Sequence, residues 1–208
     1  MGEGMTERSN HSSRSLQDPG RGSADAPVTA DGIPEADVID RMVEAVVALY
    51  RHDHDLLTHD VNERSITHKL AEHMQPLFPR WHVDCEYNRC GYDPKRINLD
   101  FEQICPDDTI AKTVYPDIIV HRRGMRDNLL VIEFKKADGE GEEIDIQKLH
   151  GFLSEEIFGY RFGLFLRLGP QPVRRMDALL FSGMREPKQY IDCMKQFLSA
   201  LKELGYGG

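Results

Sequence analysis

Residues Asn128 to Ala137 read NLLVIEFKKA. The apolar, partly β-branched centre is that of a buried strand, yet Glu133 and Lys135 stand near its end. Side chains alternate along a strand, so Leu130, Ile132 and Phe134 are expected on one face and Leu129, Val131, Glu133 and Lys135 on the other. Ionised groups at the end of an apolar strand carry a desolvation cost unless they are paired, hydrated or bound to a metal. Something must therefore complement the Glu133 face.

Working outward, YPDIIVHRRG places a second strand over Asp117 to His121, ended by a glycine-containing turn, and the two strands read as an antiparallel hairpin. Antiparallel pairing sets the beginning of the first strand beside the end of the second, which brings Asp117 towards Glu133. Two carboxylates at that distance repel, and one keeps its proton unless a cation lies between them. Asp117, Glu133 and the Phe134 carbonyl offer the all-oxygen set that magnesium prefers, with manganese as the second candidate and water completing the shell. His121 falls on the Asp117 side of its strand, where a structural or solvated histidine is the simpler reading.

The flanking sequence supplies helices. Val38, Met42, Val46 and Leu49 recur at helical spacing over Asp37 to Arg51, and Ile66, Leu70 and Met74 do so over Asn62 to Met74. Glu63 lies on the core-facing side of that second helix, in the first turn, where the helix dipole favours an anion; an ordinary first-turn acid is the rival reading. RWHVDCEYN alternates as a strand, and Gly91 to Asp108 is loop-rich, with a short strand expected around Ile97 to Phe101. After the hairpin, Ile146, Leu149, Leu153 and Ile157 form a helical stripe, with Gln147 and Lys148 one turn in. YRFGLFLRLG and MDALLFSG return to strand, and Gln189 to Leu204 closes the chain as an amphipathic helix. The expected class is α/β, a central mixed β-sheet flanked by helices on both faces.

Pro116 and Asp117 opening one strand, and Glu133-x-Lys135 ending the next with a helix straight after, resemble the PD-(D/E)XK nuclease superfamily. Glu63 matches the acid that this superfamily often carries on its first core helix, and Gln147 is a looser match to a polar residue after the core motif. The resemblance covers about Asn62 to Leu168. It implies a restriction-endonuclease-like core and metal-dependent hydrolysis of phosphodiesters, in DNA before RNA. It assigns Asp117, Glu133, the Phe134 carbonyl and Glu63 to the metal, Lys135 to the attacking water or the transition-state charge, and Gln147 to the catalytic set. The rivals are a catalytically silent nucleic-acid-binding or protein-interaction module on the same fold, and a hydrolase of another phosphate ester.

At 208 residues the chain suits a single domain, here residues 35–208, preceded by a disordered Ser-, Gly- and Pro-rich tail over residues 1–34. A formal net charge of -9 argues against a protein that coats nucleic acid nonspecifically, although HRRGMRDN carries three arginines and DGEGEEID five acids. The absence of a long apolar run or a secretory leader points to a soluble, cytoplasmic protein without a membrane partner. The four cysteines form no CxxC pair and read as reduced thiols, and His82, Cys85, Cys90 and Cys105 match no compact zinc spacing. HDHDLLTHD, His52 to Asp60, reads as a hydrated cap linking two helices. A homodimer is one way for such an enzyme to cut both strands of a duplex.

Overall fold

Helix α1 (Glu35–Thr58) opens the described fold and runs beyond the expected end at Arg51. The His52–Asp60 segment is therefore largely helical, with a kink where Asp53 takes φ −130° and ψ 24°. Leu57 is buried and keeps the last turn against the core, while Asp53 Oδ2 bonds His73 Nε2 at 2.7 Å on α2 (Glu63–Met74). The Asn62 side chain caps α2 by accepting the Arg64 N–H, and the expected stripe of Ile66, Leu70 and Met74 is buried. In the computed structural model the described residues are 1, 33–59, 61–87, 89–90, 93–94, 96–97, 112–113, 115–171, 177–182, 188–189 and 191–206. The chain divides into two units, Met1–Asp31 and Gly32–Gly208, and all the elements named belong to the second. The tail expected over residues 1–34 lies, except for residues 1, 33 and 34, outside the described residues.

The strands are β1 (His82–Cys85), β2 (Arg89–Cys90), β3 (Asp93–Pro94), β4 (Arg96–Ile97), β5 (Lys112–Thr113), β6 (Ile118–Arg122) and β7 (Asp127–Lys136). Helix α3 (Glu142–Leu153) follows, then β8 (Phe162–Leu168), β9 (Asp177–Ser182), β10 (Lys188–Gln189) and α4 (Ile191–Glu203). Six of them make one sheet in the order β1-β6-β7-β8-β9-β10, while β2 pairs β3 and β4 pairs β5 separately. The sheet is mixed: β7 and β8 are parallel and joined through α3, and the other pairs are antiparallel. The short strand expected near Ile97 is described at Arg96–Ile97, and residues 98–101 lie outside the described residues.

Helices cover both faces, as the pattern requires. Ile118, Val120, Leu130, Ile132 and Phe134 pack with α1, α2 and α4 on one face. Ile119, Val131 and Phe165 pack with Leu149, Phe152 and Leu153 of α3 on the other. Each such side chain contributes about 1.5–3 kcal/mol on full burial. Two positions depart from the expected alternation. Val120 pairs with Leu130 but His121 pairs with Asn128, so Leu129 is the extra residue of a β-bulge and joins the α1–α2 core instead of the Glu133 face. Helix α3 stops at Leu153, where Ser154 turns to φ −58° and ψ 119°, and the last member of the expected stripe, Ile157, lies exposed in the turn beyond. Gly159, at φ +60°, redirects the chain into β8. No helix among the described residues is long and apolar enough to cross a membrane.

Candidate active site

The β6–β7 ladder ends at the Ile118–Ile132 pair, and Asp117 stands one residue further, level with Glu133. Its Oδ2 accepts the Phe134 N–H at 2.7 Å, taking the place of a backbone partner. The N–H and C=O of one strand residue point to the same neighbouring strand, so the Phe134 carbonyl is turned to the Asp117 side as well. Glu133 is 1% exposed. Its Oε2 accepts from Lys148 Nζ at 3.1 Å, while its Oε1 is buried with no hydrogen bond. An unsatisfied buried acceptor of this kind costs about 1–3 kcal/mol.

Electrostatics record the same strain. Burial pushes the Asp117 carboxyl up to about 6; the Phe134 N–H and Lys148 pull it down, and Asp145 and Glu63 add repulsion. Glu133 is held well above the usual carboxyl range, first by burial and then by the Asp117 charge, with Lys148 offsetting part of this. Both carboxyls are harder to ionise than in water, as two acids facing each other in a low-dielectric setting must be.

Lys135 shares the Glu133 face but reaches α3 rather than the pair. Its Nζ lies 2.8 Å from Asp145 Oδ2, a charge contact outside hydrogen-bond geometry. Asp145 Oδ1 accepts from Lys148 Nζ at 3.0 Å, so Lys148 bridges Asp145 and Glu133. Burial alone would lower the Lys148 pKa, but the charges of Glu133 and Asp145 outweigh it and keep the ammonium charged. Sequence reasoning missed Asp145, although it stands four residues before the buried Leu149 and hence on the same helical stripe. Gln147 is exposed on α3, away from the pair, and its neighbour Lys148 is the residue that faces the sheet.

Glu63 is brought to the same end by α2. Its Oε1 accepts the Lys136 N–H at 2.9 Å, which ties the start of α2 to the end of β7, and its charge acts on Asp117. Arg167, a second residue that the sequence did not single out, is paired with Lys135 in the β7–β8 register. Its Nη1 contacts Glu142 at 2.9 Å and Asp177 at 2.8 Å, and its Nε is buried without a partner. Among the described residues at this end, Glu63, Asp117, Glu133, Glu142, Asp145 and Asp177 stand against Lys135, Lys136, Lys148 and Arg167, an excess of acidic groups.

Among the described residues no group of three or more His, Cys, Asp and Glu side chains is arranged to hold a metal ion. Magnesium is bound through one or two carboxylates and keeps several waters, so Asp117 and Glu133 fit it, and the buried, unbonded Glu133 Oε1 is the atom that such an ion would satisfy. Zinc, with four protein ligands in a structural site, does not fit this pair. Cys105 of the zinc set lies outside the described residues, and the Cys85 thiol is pushed up to about 11 by burial and donates to the Thr67 carbonyl. Within the His52–Asp60 run, His54 bonds the Pro170 carbonyl and His59 the Asp55 carbonyl. His121 is buried against Asp84, 2.8 Å from its carboxylate, in a structural role.

No family model matches the chain, and no curated protein matches it either. Among solved structures, one described as "Crystal structure of SSO0001" is similar at 15% sequence identity over 79% of this chain and 74% of that one. The TM-score of 0.35 is too low to carry an argument about fold or function.

Proposed function

We propose that the protein is a magnesium-dependent nuclease on a restriction-endonuclease-like core, hydrolysing phosphodiester bonds in nucleic acid, DNA first. The observation that carries this reading is the pairing of half-buried Asp117 with buried Glu133 at the ends of adjacent strands, with one Glu133 oxygen left without a partner. Asp117, Glu133 and the Phe134 carbonyl hold the cation, with manganese able to replace magnesium. When bound, the ion polarises the scissile phosphate and lowers the pKa of a bound water. Asp117 is kept in place by the Phe134 N–H, and Glu63 steadies the end of β7 through the Lys136 N–H. Lys148 supplies positive charge at Glu133, and Lys135, held on the Asp145 carboxylate that Lys148 also contacts, adds a second positive charge at this end, where negative charge would develop on the phosphate oxygens. The protein acts in the cytoplasm, and two copies, one per strand, would cut a duplex.

The alternative is a catalytically silent nucleic-acid-binding or protein-interaction module. Its support is Lys148, which already gives Glu133 a cation in a nearly closed setting. The test is incubation with circular and linear DNA in magnesium or manganese, beside Asp117→Ala and Lys135→Ala. The expected result is metal-dependent cutting by the parent, lost in both variants while circular dichroism stays native. Variants that cut like the parent would remove the assigned site. DNA binding without cutting, together with no magnesium heat in calorimetry, would establish the silent module.

A further inference from the structure

Lys135 is held from two independent sides. Its ammonium meets Asp145 Oδ2 at 2.8 Å, and the other oxygen of the same carboxylate holds Lys148 at 3.0 Å. Its stem runs against Gly139 in the turn that leaves β7, where an added Cβ would come within 2.5 Å of Lys135 Cδ and 2.8 Å of Cγ. The Gly139 N–H bonds the Lys136 carbonyl at 2.9 Å, which fixes that turn on the strand end. Asp145 is itself buried, on the first turns of α3, so the position of both ammonium groups is referred to the packed helix and not to solvent.

We propose that Asp145 is the positioning residue of the site: one carboxylate sets the places of Lys135 and Lys148 beside Glu133, and Gly139 leaves the room that the Lys135 stem requires. This rests on the nuclease reading for its kinetic consequence but not for its geometry. A lysine has a long, freely rotating stem and delivers charge to a chosen point only when its rotamers are restricted. Two lysines beside one carboxylate pair would otherwise repel and spread apart. Asp145 holds them at separate oxygens.

The test uses the full chain and four proteins: the parent, Asp145→Asn, Asp145→Glu and Gly139→Ala. The Gly139 backbone is not left-handed, so an alanine Cβ acts first on the Lys135 stem, with the Lys136 carbonyl oxygen, at 3.2 Å, having to give by a few tenths of an ångström. In magnesium, Asp145→Asn should lower kcat for plasmid cutting by about 10²-fold with KM for DNA little changed, since a small misplacement at the reacting centre has that scale of effect. Gly139→Ala should lower kcat less, and Asp145→Glu should recover part of the loss. The second readout needs no turnover. Limited acetylation read by mass spectrometry should label Lys135 severalfold faster in Asp145→Asn and Gly139→Ala, with exposed Lys69 on α2 unchanged as the reference. If the parent does not cut DNA, the nuclease reading fails and the labelling alone decides the positioning. Parent-like labelling of Lys135 in Asp145→Asn overturns the inference. So does a kcat loss that Asp145→Glu leaves untouched, which would mark a merely structural aspartate.

Discussion

The two ends of the central sheet use the same kinds of residue to opposite effect. At the β6–β7 turn, Asp127 takes Arg122 and Arg161 at 3.1 Å each, and both guanidinium groups lie over the Trp81 ring at 4.8 and 5.9 Å. Asp84 accepts from His121 Nε2 and Arg123 Nε at 2.8 Å each. Burial alone would raise the Asp84 carboxyl, but Arg123 and His121 outweigh it and hold the group well below the usual carboxylate range. At the far end, Asp117 is raised to about 6 and Glu133 keeps a buried oxygen unbonded. A satisfied charge stabilises a fold, whereas a pair left repelling in the interior is a cost that a ligand can remove. That difference, more than any motif, separates the structural end from the candidate functional one.

The largest break in this comparison comes from pH. Asp117 rises from 3.8 to about 6 on folding, so between these values the folded protein binds a proton that the unfolded chain has released. Stability supplied by that proton is complete below about pH 4 and is lost as pH rises through 6, by about 3 kcal/mol in all. Glu133, also raised, extends the decline to higher pH. Urea unfolding of the metal-free protein at pH 4 to 7 should show Asp117→Asn gaining on the parent as pH rises; a constant difference would mean that Asp117 is not strained.

Asp84→Asn should act with the opposite sign and a smaller size. The depressed carboxyl stabilises the fold above about pH 4 and loses that effect as the pH falls. At pH 7 the substitution should cost about 1–3 kcal/mol by stripping Arg123 and His121 of their partner, while DNA cutting is unchanged. Loss of cutting without loss of stability would shift the functional end of the sheet. The smallest effect belongs to Arg161→Ala, which removes one guanidinium from the Trp81 ring and one partner from Asp127. About 0.5–1 kcal/mol in urea unfolding is expected, and a larger loss would show that this end is not merely a surface network.

The alternation in NLLVIEFKKA and the order Asp117, Glu133, Lys135 sufficed to place two strands, their antiparallel pairing and the meeting of two carboxylates. The stripes of α1 and α2 were legible for the same reason: the direction of a side chain along a helix or strand is a local property with a fixed period. Leu129 was misplaced because a bulge shifts that period by one residue, and its position depends on the partner strand. The extension of α1 past Arg51 was hidden because His52, Asp53 and His54 look like a solvated turn until Leu57 and His73 are seen to engage that stretch. Gln147 was chosen where Lys148 faces the sheet, since one residue of helix rotates a side chain by about 100° and only packing decides which of the two points inward.

The sequence alone determined the principal strands and helices, though not their ends, that the sheet is mixed and covered on both faces, and which two acids meet. Only the tertiary structure decided how the charges are shared: Lys135 to Asp145, Lys148 to Glu133, Arg167 to Glu142 and Asp177. Periodicity is written in neighbouring residues, whereas the pairing of buried charges depends on ångström-scale distances between elements far apart in the chain, which arise only when α3 packs onto the sheet.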